Sequence, residues 1–336
     1  MHEASFYIGI PGNKAKCTLC PHECIIQEGK QGICKVRSFR NEKLISDTYG
    51  RLSAIAADPV EKKPLYHFYP GKSILSLGSI GCNMHCRHCQ NEDISQCIGI
   101  TPASLKSYST EDIMHRAAAS GTDLVAFTYN EPVVNYEFML DTARAMHAAG
   151  RACVLVSNGY IMPEPLGALL PYISACNIDL KAFDAAFYRK VAGARLAPVL
   201  RSMEMIHQAG KHMEVTFLVI PGMNDDRELF RKMSMYLAEK FGKSQVLHLS
   251  RYFPHYKMRL PATSMETMEA LVSIAREYLE FVYPGNTGTA MDSNTYCPSC
   301  GNLLIGRNHY MVTIPGIRYG RCQQCEQQVH GKFSNQ

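Results

Sequence analysis

The chain has 336 residues, of which 46% are hydrophobic and 19% charged, the composition of an ordinary folded protein and not of a disordered one. Its 35 Lys and Arg against 30 Asp and Glu leave a net charge of +5, too weak by itself to indicate a nucleic-acid protein. No run approaches the ~18 consecutive apolar residues of a membrane span, and the start MHEASFYIGIPGNKAKC has no charged region leading into an apolar one, so neither membrane spanning nor secretion is expected.

Cysteine is the unusual residue, with 14 in the chain. Disulfide frameworks belong to small secreted domains that cannot bury enough apolar surface, so metal ligation in a reducing cytoplasm is the expectation. Cys17, Cys20, Cys24 and Cys34 come first, in a mildly basic segment 1–70 with 10 Lys and Arg against 7 Asp and Glu. These four thiols, with Pro21 in a tight turn, suit either structural zinc or an auxiliary iron–sulfur cluster. Cys97, Cys153 and Cys176 stand alone and read as small buried apolar side chains.

Short apolar runs then alternate with amphipathic stretches. Strands are predicted at Ser73–Ile80, Leu124–Thr128, Ala152–Ser157, Cys176–Leu180, Met213–Ile220 and Gln245–Leu249. They are almost continuously apolar, which suits a parallel sheet buried on both faces. Helices are predicted near 111–119, 135–149, 184–191, 198–209, 226–240 and 264–281, several stopping at a glycine: Gly121, Gly150, Gly210 and Gly242. Six such strand–helix units make the chain α/β, either an open doubly wound sheet or a partial barrel. In both, chemistry sits at the carboxyl ends of the strands.

The first strand runs into GCNMHCRHCQN, with Cys82, Cys86 and Cys89 spaced C-x3-C-x2-C. Structural zinc wants four closed ligands, whereas an iron–sulfur cluster held by three thiolates keeps one iron open. The loop resembles that of radical S-adenosylmethionine (SAM) enzymes. That resemblance implies a partial (β/α)6 barrel over 71–283, with cysteine-rich modules at 1–70 and 284–336. It also implies a [4Fe-4S] cluster on Cys82, Cys86 and Cys89 whose fourth iron takes the amino and carboxylate groups of SAM. The cluster would cleave SAM to methionine and a 5′-deoxyadenosyl radical that abstracts hydrogen.

By the same resemblance the other strand ends carry SAM contacts. Asn130 and Glu131 follow the second strand, and Ser157 and Asn158 begin a turn similar to the T-N-G-[FY] turn of glycyl-radical-enzyme activases. Asp179 and Lys181 form a D-[LV]-K triplet. Val156 stands where those activases usually have an acidic residue, so their cation site does not carry over. The turn Ile220-Pro221-Gly222-Met223-Asn224-Asp225 is expected beside the adenosine. His248 and His255 end the sixth unit and read as structural histidines.

The chain closes with Cys297 and Cys300, then 21 residues, then Cys322 and Cys325, the spacing of a four-thiolate zinc ribbon; a rubredoxin-like iron or a further cluster is the alternative. CTLCPHEC, EKKPLYHFYPG, DLKAFD, VIPGMND, RYFPHYKM and CPSCG occur in family order. From about Cys17 onward the chain resembles the radical SAM component of the AmmeMemoRadiSam system. That implies AMMECR-type and Memo-type partners, a flavodoxin- or ferredoxin-type electron donor and an unknown substrate. Installing a glycyl radical on a partner enzyme is the nearest alternative. A less favoured one is RNA modification, with Arg307, His309, Arg318 and Arg321 of the ribbon as the docking surface.

Overall fold

The computed structural model describes residues 2–288 and 290–334. Its centre is an eight-stranded sheet in which Ala54–Pro59, Ser73–Gly78, Leu124–Phe127, Ala152–Ser157, Ala175–Asp179, His212–Val219, Val246–Arg251 and Val282–Gly285 lie side by side in chain order. All six expected strands are present. A seventh parallel strand, Val282–Gly285, and an antiparallel edge strand, Ala54–Pro59, extend the sheet on both sides of the expected 71–283 span. The edge strand escaped the sequence reading because AIAADP carries an Asp and a Pro, the residues an edge tolerates and a central strand does not. The order never reverses, which excludes a doubly wound sheet.

Right-handed crossovers in unreversed order place the helices on one face. Leu75, Leu77, Val125, Phe127, Cys153, Leu155, Ile178, Val215 and Leu247 pack against them in the main core. Alternate residues of the same strands, Ile74, Leu124, Ala126, Val154 and Ala175, pack on the other face against Val60, Leu65 and Phe68. Burial on both faces explains the unbroken apolar runs. Cys153 and Cys176 are buried as expected, whereas Cys97 is only half-buried.

Helices form at Thr110–Ala119, Tyr136–Ala148, Leu196–Gln208, Arg227–Phe241 and Met265–Arg276, close to expectation. Ser109, Asp226 and Ser264 cap three of them through side-chain oxygens. Gly121, Gly150, Gly210 and Gly242 all have positive φ, as chain reversal there requires. A helix at Pro163–Leu169 went unread because its two prolines look like a loop. The predicted helix 184–191 is a single turn, Ala185–Phe187, that widens into a π-turn, Tyr188–Ala192. The free carbonyls of Val191 and Ala192 accept the backbone N–H groups of Arg87 and His85 at 3.1 and 2.8 Å, tying that turn to the central cysteine loop.

The N-terminal module is built of short antiparallel strands, Tyr7–Ile10 with Lys14–Cys17 and Ile25–Gln27, and His2–Glu3 with Arg37–Arg40 and Lys43–Ser46. A buried ion pair joins it to the main body: Arg37 Nη1 donates to Glu137 Oε1 at 3.0 Å. Glu137 also accepts the backbone N–H of Ser5. Breaking a buried pair strands the remaining charge, at a cost of about 3–5 kcal/mol. Glu137→Ala is therefore expected to lower unfolding free energy by about that amount in chemical denaturation, and a loss below about 1 kcal/mol would refute this anchoring role.

Candidate functional site

Cys82, Cys86 and Cys89 line one cleft of about 400 Å³ at the carboxyl ends of the strands, within the range of roughly 300–1,000 Å³ typical of small-molecule sites. Glu131, Asn130, Ser157, Asn158, Asp179 and Lys181 line it too, so these six residues meet the three thiols there, whereas the turn 220–225, expected beside the adenosine, does not line the cleft.

The loop is held by its backbone. Asn130 Nδ2 donates to Gly81 O while Asn130 Oδ1 accepts the N–H of Ser79, both at 2.9 Å. The Asn130 amide is thereby occupied in clamping the loop to the end of strand Leu124–Phe127. Gly81 has φ +87°, and a Cβ there would stand 2.7 Å from Cys34 O, so this position admits only glycine. Gln96 supports the loop from below, with Nε2 donating to Met84 O at 3.1 Å.

Glu131 is the electrostatic centre. It is 3% exposed, and its carboxylate accepts the Ser157 hydroxyl at 2.7 Å and the N–H groups of Asn158 and Val133 at 2.8 and 3.1 Å. Burial raises its pKa to about 7 against the pull of those donors. Asn158 extends the chain of contacts: its Nδ2 donates to Asn83 Oδ1 at 2.9 Å and lies 3.7 Å from Cys82 Sγ, which also accepts the N–H of Met84 at 3.3 Å.

Lys181 Nζ pairs with Asp179 Oδ2 at 2.7 Å. Burial alone would lower the lysine pKa, but Asp179 and the Cys86 thiol outweigh it and keep the ammonium charged. Burial pushes the Cys82 thiol well up and Cys86 to about 11, against the Lys181 charge, so metal loading releases protons.

Sequence reasoning missed several lining residues. His88 is 4% exposed, its Nδ1 has no partner, and burial lowers its pKa to about 3, giving a neutral flat ring on the cleft wall. Lys62 and Lys63 reach the rim from the segment before the first parallel strand. Lys63 pairs with Asp58 at 2.8 Å and lies 4.5 Å from the Tyr129 ring. The segment EKKPLYHFYPG was visible in the sequence, but no periodicity or spacing placed it at the site.

Other expected residues fall elsewhere. Asn224 ties the fifth strand end to the fourth, donating to Lys181 O and Leu218 O at 2.9 and 2.8 Å. His248 pairs with buried Glu214 at 2.6 Å and His255 with Glu92 at 2.6 Å, both satisfied structural histidines. Arg307 is folded inward onto Tyr66 O, Ser293 O and Thr295 Oγ1, so both of its terminal nitrogens are engaged within the chain. Cys297, Cys300, Cys322 and Cys325 place four sulfurs within 4.8 Å of one another, with the Cys297–Cys325 and Cys300–Cys322 pairs at 3.6 and 3.7 Å. Cys17, Cys20, Cys24 and Cys34 line a separate small enclosed cavity together with Arg37 and Asn83.

The Glu131 shift has a consequence for stability. Between about pH 4.5 and 7 the unfolded carboxyl has lost its proton while the folded one keeps it, so stability of the metal-free chain falls as pH rises across that window. The fall attributable to Glu131 is roughly 3 kcal/mol at most. Urea titrations of wild type and Glu131→Gln at pH 5 and pH 8 check this: the variant is expected to lose most of the difference. An undiminished difference would show that Glu131 is not the titrating group.

Residues 77–233 match the family described as the Radical SAM superfamily. Over 335 residues the chain is 39% identical to an uncharacterised protein of Methanocaldococcus jannaschii, covering 98% of this chain and 99% of that one. It is 22% identical over 214 residues to the pyruvate formate-lyase 1-activating enzyme of Escherichia coli K12, covering 59% of this chain and 86% of that protein. In fold it is similar to a radical SAM methyltransferase from Sphaerobacter thermophilus, with 16% identity and a TM-score of 0.51 over 70% of this chain and 71% of the other. The chain belongs to the radical SAM superfamily, and it is an enzyme that works with a [4Fe-4S] cluster and SAM.

Proposed function

We propose that this enzyme cleaves SAM reductively at Cys82, Cys86 and Cys89 and abstracts hydrogen from a small-molecule or protein substrate. The observation that carries the reading is the convergence of these three thiols with the polar ends of the next three strands on one cleft. When bound, the cluster supplies one electron to SAM, which separates into methionine and the 5′-deoxyadenosyl radical that takes the hydrogen atom.

The residues divide the remaining work. Asn158 and the Met84 N–H donate to Cys82 Sγ and so stabilise charge on that thiolate. Glu131 offers a buried carboxylate to the SAM amino group, and the Lys181 ammonium, oriented by Asp179, offers positive charge to the SAM carboxylate. The neutral His88 ring gives an aromatic base a flat apolar surface. Lys62, Lys63 and Asn91 on the opposite rim are left for the substrate. The sequential open sheet acts here as a partial barrel whose concave face holds the reactants away from solvent.

AMMECR-type and Memo-type partners and a flavodoxin- or ferredoxin-type donor belong to this proposal, on the strength of the motif order from Cys17 onward. Glycyl-radical installation on a partner enzyme is the second reading, favoured by the likeness to the E. coli activating enzyme. We assign zinc to the C-terminal four thiols. A tetrahedral site with Zn–S bonds of about 2.3 Å has sulfurs about 3.8 Å apart, close to the observed pair distances of 3.6 and 3.7 Å.

Two measurements test these assignments. The anaerobically reconstituted chain, given SAM and a strong reductant, is expected to form 5′-deoxyadenosine, and the Cys82→Ala/Cys86→Ala/Cys89→Ala variant to form none above background. No product from a wild type with an intact cluster would sink the reading. Metal analysis is expected to find about one zinc per chain that disappears in Cys297→Ser/Cys300→Ser. Zinc retained by that variant would place the ion elsewhere.

A further inference from the structure

We propose that Cys17, Cys20, Cys24 and Cys34 hold a second [4Fe-4S] cluster and not zinc, close enough to the central site to exchange an electron with it. The first half stands alone, and the exchange rests on the cluster assigned above to Cys82, Cys86 and Cys89.

The argument begins with spacing. The chain carries its own standard for a one-ion site, since the C-terminal sulfurs all lie within 4.8 Å of one another. No three of the N-terminal sulfurs meet that spacing, although all four thiols line one enclosed cavity. The central Cys82, Cys86 and Cys89 also fall outside it. Thiols sharing one zinc ion must crowd together, whereas thiols on separate corners of a four-iron core stand apart. By this measure the N-terminal set groups with the central set.

A second observation concerns Arg37. Its side chain is 1% exposed and lines the same cavity, Nη1 is spent on Glu137, and Nε has no acceptor. Buried N–H groups are rarely left orphaned, so this donor calls for an acceptor within the cavity. The sulfur atoms of an anionic cluster would supply one, and N–H donors to cluster sulfurs are among the features that set its potential. Apolar walls from Leu19, Ile26 and Val134 would exclude water from it.

The third observation is position. Asn83, the residue after Cys82, lines the N-terminal cavity, and its carbonyl meets His22 Nε2 at 2.7 Å. Cys34 O stands 2.7 Å from where a Cβ on Gly81 would be. The two thiol sites are therefore joined across Gly81-Cys82-Asn83. On the outer side Ile25 and Ile33, next in sequence to Cys24 and Cys34, are 63% and 39% exposed, so an external carrier can approach closely. In the exchange, a reduced flavodoxin- or ferredoxin-type carrier gives one electron to the N-terminal cluster. That cluster passes it to the central one, the first returning to its oxidised state as the second is reduced.

The test is iron analysis with electron paramagnetic resonance on full-length chains expressed and purified without oxygen. The Cys82→Ala/Cys86→Ala/Cys89→Ala variant is expected to keep about four irons per chain and to give a [4Fe-4S]⁺ signal on reduction with dithionite. Zinc in place of that iron would overturn the assignment, whatever the SAM assay shows. Replacing Cys20 alone by Ser tests the same ligand without emptying the site: an altered signal in that triple-Ala background supports ligation, and an unchanged one opposes it. For the exchange, the fully reduced wild type is expected to show a spectrum broadened by interaction of two nearby spins. A spectrum equal to the sum of the two single-site spectra would overturn the exchange and leave the iron count to decide the site.

Discussion

The constraint on which the site depends is strand order. Seven parallel strands in unreversed sequence bring seven carboxyl ends to one rim, and each end can place a short polar turn there without disturbing the apolar strand below it. The division of labour follows from the twofold alternation of side chains. Lower positions on the inner face are apolar in the first three parallel strands, as at Ile74, Leu124 and Val154, and polar but mutually paired in later ones, as at His212 and Glu214. Higher ones become polar, as at Asp179, Thr216 and Ser250. Core and chemistry thus share the same strands at different heights.

A buried polar rim survives only if its groups satisfy one another. Asn130 spends its amide on Ser79 and Gly81, Asn83 donates to Tyr160 O at 2.7 Å, and Asn158 bridges Asn83 to the Glu131 carboxylate. Each asparagine links two loops that are distant in sequence, so the cysteine loop is fixed by three strand ends at once. Such a network is rigid, and rigidity of the ligand loop is what a cluster needs if its open iron is to face the cleft. Removing one member would leave unpaired partners, each costing about 1–3 kcal/mol, which makes the network an all-or-none feature of the fold.

Much of this was legible in the sequence, and the limits have physical reasons. The parallel strands were readable because burial on both faces makes them continuously apolar, and the site was readable because its residues sit immediately after those strands. Ala54–Pro59 was not readable, since an edge strand with one open side needs no such run. Lys62 and Lys63 were visible as residues, but their place at the rim depends on the segment before the first parallel strand reaching back to the cleft, a long-range contact that no local period records. Asn130 was read as a ligand contact, and its amide also clamps the backbone at Ser79 and Gly81, a second use of a side-chain amide that only its neighbours reveal.

The two outer cysteine modules look equivalent in sequence, yet they sit at opposite ends of the sheet. The C-terminal module closes the amino end. Arg307 reaches Tyr66 O at 2.8 Å, His67 pairs with His330 O and with the Tyr283 hydroxyl, and all of this rests on Glu214, whose carboxylate accepts from His212, His248 and two backbone N–H groups. Burial would raise the Glu214 pKa, but the two histidines hold it well below the usual carboxylate range, so the floor is a sealed charged network. Among the described residues that line the cleft, none belongs to the four C-terminal thiols, and a redox-silent ion suits a module whose work is to close the sheet. The N-terminal module instead packs its cysteines onto Gly81 and Asn83, on either side of Cys82. A metal placed there acts on the central site whether or not it changes oxidation state, because its charge falls on the loop that holds Cys82. The position of each module, more than its cysteine count, therefore decides what its metal can do.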